Sequence, residues 1–81
     1  MEREIRIGKK SVGVYTESVI FSFSDGCDSV KISALGSGVS KAFDTAENAV
    51  QTINIEKSNV ETFERGNTTG VKIELKKGES P

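Results

Sequence analysis

Two stretches of this chain follow one plan, and that repetition restricts the fold more than any other feature. Ile5-Arg6-Ile7 alternates apolar and charged residues before Gly8-Lys9-Lys10, and Val30-Lys31-Ile32-Ser33-Ala34-Leu35 alternates similarly before Gly36-Ser37-Gly38 and Val39-Ser40-Lys41-Ala42. A period of two marks a strand with one buried face, and glycine ends it. Each stretch therefore reads as a strand, a glycine turn and a helix that carries lysine at its start. Strand, helix and strand in that order form a right-handed crossover. Set side by side, two such turns present helix amides and ammonium groups together, the chemistry of a phosphate-binding surface.

Between the two units, Ser11 to Ser24 carries competing periods. Val12, Tyr15, Val19 and Phe23 fall at helical spacing, while Phe21-Ser22-Phe23-Ser24 alternates like a strand. Ser11 as N-cap and Asp25-Gly26 as a stop select the helix. The next element has a single reading: Val39, Ala42, Phe43, Ala46, Ala49, Val50 and Ile53 form one apolar face opposite Lys41, Asp44, Asn48 and Gln51, an amphipathic helix of about four turns. Val60 to Arg65 and Val71 to Lys76 alternate as strands on either side of Gly66-Asn67. They form an antiparallel hairpin whose loop of several residues is rich in Gly, Asn and Thr. The fold expected is an α/β two-layer sandwich of order β-α-β-α-β-β, a four-stranded mixed sheet with two helices on one face. One domain spans residues 1–77, and residues 78–81 are a polar, disordered tail.

Charge and composition narrow the function. The net charge is −1, from 11 basic and 12 acidic residues, whereas an abundant nonspecific coat for DNA is strongly basic. Polyanion binding must then come from local clustering. Histidine is absent, which removes the commonest general base and the commonest neutral metal ligand. Asp44, Glu47, Glu56, Glu61 and Glu74 lack the spacing of a metal loop. An enzyme is not expected, nor is a cofactor. Cys27 is the only cysteine, so no intrachain disulfide forms, in keeping with a reducing, cytosolic compartment. It reads as a small, partly buried residue. No apolar run approaches the ~20 residues of a membrane span, so the chain is expected to be soluble and cytoplasmic, with no membrane partner. With 81 residues it buries only a modest core alone, and dimerisation would help it.

The turn Leu35-Gly36-Ser37-Gly38-Val39-Ser40-Lys41 fits neither of two familiar phosphate motifs. A dinucleotide fingerprint would want glycine where Lys41 stands, and a P-loop would want Gly-Lys-Ser/Thr at its own spacing. What remains is generic: helix amides, the Ser37 and Ser40 hydroxyls and the Lys41 ammonium hold a phosphate without reading bases. The plainer reading is that the glycines only let the backbone turn. Lys9-Lys10 likewise reads either as a phosphate contact or as a solvated pair.

Ile7-Gly8-Lys9-Lys10 and the junction carrying Ser40-Lys41-Ala42 resemble the Alba family of archaeal nucleic-acid-binding proteins, over residues 5 to about 76. The resemblance implies the same element order, a homodimer that assembles further as a dimer of dimers, association with the chromosome, and double-stranded DNA or RNA as partner. It implies that Lys9 and Lys10 touch the nucleic-acid backbone and that Lys9 is a site of acetylation, which removes a cation. It matches Ile53 to an apolar residue through which dimers assemble, although Ile53 reads equally as core. Phe43 reads as core. Two departures stand out: Leu35 and Ser37 occupy positions where arginine is usual, and the hairpin arm looks short, with Arg65 its only cation.

The expected nucleic-acid-binding set is Lys9, Lys10, Leu35, Ser37, Ser40, Lys41, Arg65 and Asn67. At Asn67 a plain turn is an equal reading. If Lys9, Lys10 and Lys41 of a dimer each neutralise one phosphate, about six contacts give a log-log salt slope of roughly −5, against about −9 with two more arginines per chain. Affinity is thus expected to be weaker than in basic family members. A different class also fits the acidic balance: a protein-interaction subunit of a ribonucleoprotein or other complex that has lost most direct nucleic-acid binding.

Overall fold

Alternation along each strand decides which side of the sheet the helices cover. In a computed structural model, which describes residues 1–78, the chain runs β1 (Glu2–Arg6), α1 (Val12–Ser24), β2 (Ser29–Leu35), α2 (Gly38–Thr52), β3 (Ile55–Arg65) and β4 (Thr68–Lys77). The sheet order is β1-β2-β4-β3. β1 runs parallel to β2, and β4 lies antiparallel to both β2 and β3. Val30, Ile32 and Ala34 of β2 and Val71, Ile73 and Leu75 of β4 are buried in one cluster with Val19 and Phe23 of α1 and Ala42, Ala46 and Ala49 of α2. The expected two-layer α/β sandwich is the observed architecture. Burying the large aliphatic side chains of this cluster is worth about 1.5–3 kcal/mol each.

The ambiguous segment is helical. Ser11 accepts a hydrogen bond from the Val14 amide at 3.3 Å, and Asp25 caps the other end before Gly26 at φ 100°. Tyr15, Val19 and Phe23 face the core, while Phe21, which a strand would have placed beside Phe23, is 66% exposed. Cys27 is fully buried rather than partly so.

Three expectations need correction. Phe43 is not core: it is 39% exposed. The line that reaches the sheet is Ala42, Thr45, Ala46 and Ala49, and the close approach permitted by three alanines leaves no room for a phenyl ring. The hairpin is neither short nor wide-looped. β3 begins at Ile55, passes an irregularity between Lys57 and Asn59, and stays paired to Arg65↔Thr68. Only Gly66 and Asn67 lie outside the ladder, and the positive φ is at Gly66, 61°, where a type II′ hairpin turn places glycine. Finally, Gly78 is not free: its amide donates to the Asn54 carbonyl at 2.9 Å. The rest of the expected tail, residues 79–81, lies outside the described residues.

The helix layer is narrower than the sheet. Val60 pairs with the fully buried Ile73 in register, on the same face, yet is 44% exposed. The outer strand β3 thus projects past α2, and the long axis of the molecule is 43 Å. Among the described residues, no helix is long and apolar enough to cross a membrane.

Candidate functional site

Parallel pairing of β1 with β2, and antiparallel pairing of β4 with β2, carries four chain segments to one end of the sheet. Leu35 pairs with Gly70, and Gly70 pairs with Phe63, so the turn after β2 lies beside the base of the hairpin tip. The Gly36 amide donates to the Thr69 carbonyl at 2.9 Å. The turn after β1 ends at the same side, because the Ile7 amide donates to the Ser33 carbonyl at 2.8 Å. Both helices begin here.

Two side chains shape the loop that carries Lys9 and Lys10. The Tyr15 hydroxyl, from the first turns of α1, accepts from the Gly8 amide at 2.7 Å and the Lys10 amide at 3.2 Å. The Lys41 ammonium, from α2, donates to the Lys10 carbonyl at 2.8 Å and the Gly8 carbonyl at 3.3 Å. The loop is pinned from both sides, and its own lysine side chains remain exposed. Lys41 is a loop fastener as well as a cation: two of its three donors are engaged. The two sequence units are thereby joined through a specific contact, with Lys9, Lys10 and Lys41 brought together.

At the start of α2, Gly36 has φ 55°, a left-handed conformation that glycine adopts without cost. Ser37 stands at the N-cap but makes no side-chain cap bond. The Val39 amide donates to the Gly36 carbonyl at 3.1 Å, so the exposed Ser37 hydroxyl and the remaining first-turn amides are left for a ligand or water to satisfy. Ser40 is exposed in the same turn. At the hairpin tip, Arg65 and Asn67 are exposed. Ile53 is elsewhere, at the C-terminal cap of α2, half-buried against the core cluster. The interface set predicted from sequence is therefore gathered at one end, and Ile53 lies at the far end of its helix.

Four residues of this region were missed. Besides Tyr15, they are Arg6, Phe63 and Lys72, which line a cleft of about 300 Å³ on the open face of the sheet with Glu4, Ser33, Leu35 and Arg65. Their signal was present in the alternation, since residues opposite the apolar row of each strand must share the uncovered face. Leu35, where a cation was missing, is 41% exposed there. The Phe63 ring occupies the space that a side chain at Gly70 would need, 2.5 Å from the position of its Cβ. The Arg65 guanidinium lies 5.9 Å from the centre of that ring, at the outer range of a cation–π contact. The Ser33 hydroxyl donates to Glu4 Oε2 at 2.8 Å. That bond holds the Glu4 carboxyl below its ordinary value, against the opposing effect of burial and with help from Lys72, Arg6 and Lys31. Glu4 is thus an ionised acceptor on the floor of a cleft walled by cations.

Among the described residues, Lys9, Lys10, Lys41, Arg65 and Lys72 have no carboxylate partner within ion-pairing distance. Several other cations are paired, including Arg3 with Asp25 and Lys57 with Glu47. Five cations unpaired among the described residues thus gather at this end beside the likewise unpaired Glu64, while Lys76 and Lys77 are unpaired at the opposite end of the sheet. No group of three potential metal ligands occurs among the described residues.

Comparison with known proteins gives a consistent placement. The family model for Alba matches residues 3–64. The DNA/RNA-binding protein Alba 2 of Methanopyrus kandleri (strain AV19) is 44% identical over 46 residues, which cover 57% of this chain and 50% of that protein. The match thus spans half the length of that relative. Alba from Thermoplasma volcanium superposes with a TM-score of 0.80 at 24% identity, covering 91% of this chain and 99% of that one. ALBA1 from Trypanosoma brucei superposes with a TM-score of 0.87 at 18% identity, covering 94% of this chain and 70% of that one. At these identities the superpositions speak to the fold alone.

Proposed function

The chain belongs to the Alba family, and we propose that it is a dimeric DNA- or RNA-binding protein that grips backbone phosphates at the carboxyl end of its parallel strands. The observation that carries this reading is the pinned loop: Tyr15 and Lys41 hold the Gly8–Lys10 backbone so that Lys9 and Lys10 project beside the uncapped start of α2. A phosphate seated there meets ammonium groups, the Ser37 and Ser40 hydroxyls and helix amides. The hairpin extends the surface through Arg65 and Asn67. The curated relative's description as DNA/RNA-binding agrees with this chemistry. The protein works without catalysis or cofactor, associated with the chromosome in the cytoplasm, and acetylation of the exposed Lys9 would loosen its grip.

Affinity is weaker than in arginine-bearing relatives, because Leu35 and Ser37 supply no charge. Support for a dimer comes from Phe43 on α2 and Val60 on β3, large exposed apolar residues on the helix side of the sheet where the helix layer stops. A partner chain covering that step would bury both, with Ile53 at its edge and available for dimers of dimers.

The test is fluorescence anisotropy of duplex DNA and of single- and double-stranded RNA across a salt series, beside the variant Lys9→Ala/Lys10→Ala. A slope of roughly −5 that falls by about 3 to 4 in the dimeric variant is expected. Binding unchanged in the variant would place the surface elsewhere, and absence of binding to every one of these ligands at all salt concentrations would favour a protein-interaction subunit.

A further inference from the structure

The phosphate-gripping loop leaves the cleft on the open face of the sheet unexplained. Its contents are unlike those of a phosphate site. At one side the Phe63 ring lies over Gly70 of β4. At the other, Glu4 reaches from β1 to the Ser33 hydroxyl of β2. β2 and β4 are neighbours, but Ser33 pairs with Lys72 and Gly70 with Leu35, so Ser33 and Gly70 stand on a diagonal of about 7–8 Å. A planar group the length of a base, stacked on the ring and hydrogen-bonded at its far edge, bridges that diagonal, with exposed Leu35 and the Lys72 side chain beside it. Arg6, Arg65 and Lys72 line the same cleft.

This combination selects its occupant. The carboxylate repels a phosphate from the centre and accepts hydrogen bonds, so the group in the middle must donate. The ring favours a planar, apolar-faced group. The surrounding cations favour anions on either side of that group. A nucleotide within a strand has all three properties, and aromatic residues on the open face of a four-stranded sheet are a general device for stacking unpaired bases. Building on the nucleic-acid-binding reading above, we propose that this cleft holds one unpaired base of a single-stranded nucleic acid, stacked on Phe63 and met at an exocyclic amino group by the Glu4 carboxylate. Cytosine offers such a donor to a carboxylate. Uracil places carbonyl oxygens there instead. Bases within a duplex are already stacked and do not enter. Lys9 and Lys10 then serve duplexes and single strands alike through phosphates, while the cleft adds affinity only for single strands.

The experiment is anisotropy with oligo(C), oligo(U) and a duplex at one salt concentration, for the wild type, Phe63→Ala, Phe63→Leu and Glu4→Ala. Phe63→Leu keeps apolar cover over Gly70 and guards against misfolding of the alanine variant. Wild type is expected to prefer oligo(C) to oligo(U). Either Phe63 variant should weaken oligo(C) by about fivefold to a hundredfold, well beyond any loss on the duplex, which feels Phe63 only through the neighbouring Arg65. Glu4→Ala should bring oligo(C) and oligo(U) together. A 2-aminopurine placed in the oligonucleotide should be quenched on binding wild type and less so on binding Phe63→Leu. Equal losses on duplex and single strand, no loss in either Phe63 variant, or no preference for oligo(C) would each overturn the base site. A wild type that binds duplex but no single strand overturns it while leaving the phosphate reading intact. A wild type that binds no nucleic acid overturns both.

Discussion

Replacing Tyr15 by Phe deletes one oxygen atom, and that atom accepts two backbone hydrogen bonds, from Gly8 at 2.7 Å and Lys10 at 3.2 Å. A typical intramolecular hydrogen bond contributes a net 0.5–1.5 kcal/mol, roughly, once exchange with water is counted. Gly8 and Lys10 are exposed, so water replaces part of what is lost, and a total cost of about 1–2 kcal/mol follows. For a domain of this size that lowers Tm by roughly 4–15 °C. The functional effect is separate: with only Lys41 still fastening the loop, Lys9 and Lys10 are less ordered, and duplex binding pays the cost of ordering them. The phenyl ring stays buried, so the fold persists. Calorimetry reads the stability, and anisotropy at fixed salt reads the binding. Adding Lys41→Met completes a double-mutant cycle. Because both side chains hold the same two residues, Gly8 and Lys10, the cycle should show a coupling of at least about 0.5 kcal/mol. A Tm within about 1 °C of wild type, with Gly8 and Lys10 amides exchanging at wild-type rates, would refute the claim that Tyr15 holds this loop.

Three further outcomes are expected. In Ser33→Ala the Glu4 carboxyl loses the bond that most depresses it, so its midpoint, read by NMR titration of the carboxyl carbon, should rise toward its ordinary 4.5. Since the folded-state value is the lower one, the stability that Glu4 contributes is present above its unfolded value and is lost as pH falls through the folded one. Wild type should therefore lose more stability than Ser33→Ala on acidification through that window, and equal losses in acid melts would contradict the assignment. Gly36→Ala forces a side chain into φ 55°, at a cost of about 1–2 kcal/mol in denaturant unfolding, and it weakens duplex binding by shifting the start of α2. Phe43→Ser combined with Val60→Ser should shift sedimentation toward the monomer while leaving the helical signal intact; an unchanged sedimentation coefficient would place the dimer contact elsewhere.

Element order and the side each strand buries were legible because they depend on local alternation. Ile5 and Ile7, Val30 and Ile32, and Val71 and Ile73 declare their faces two residues at a time. The caps at Ser11 and Asp25-Gly26 settled a segment whose periodicity was divided, because capping hydrogen bonds depend on nearest neighbours in the chain. Lys9, Lys10 and Lys41 were recognisable as one surface, since glycine turns after two adjacent parallel strands must end on the same side.

What the sequence could not decide depends on how closely the layers approach and where they stop. Phe43 lies on the apolar stripe of α2, yet the neighbouring alanines set the helix so near the sheet that a phenyl ring is left at the flank. Val60 has the pattern of a core residue and the register of one, and is exposed because α2 covers only the start of β3, where Ile55 is buried. Lys41 reads as a simple cation until α2 and the Gly8–Lys10 loop are seen to touch. The cleft joining Glu4 to Phe63 is drawn from the two outermost strands, far apart in sequence, and forms because each side chain leans inward over its neighbour. Periodicity determines which way a residue points. Only packing in three dimensions determines what it meets.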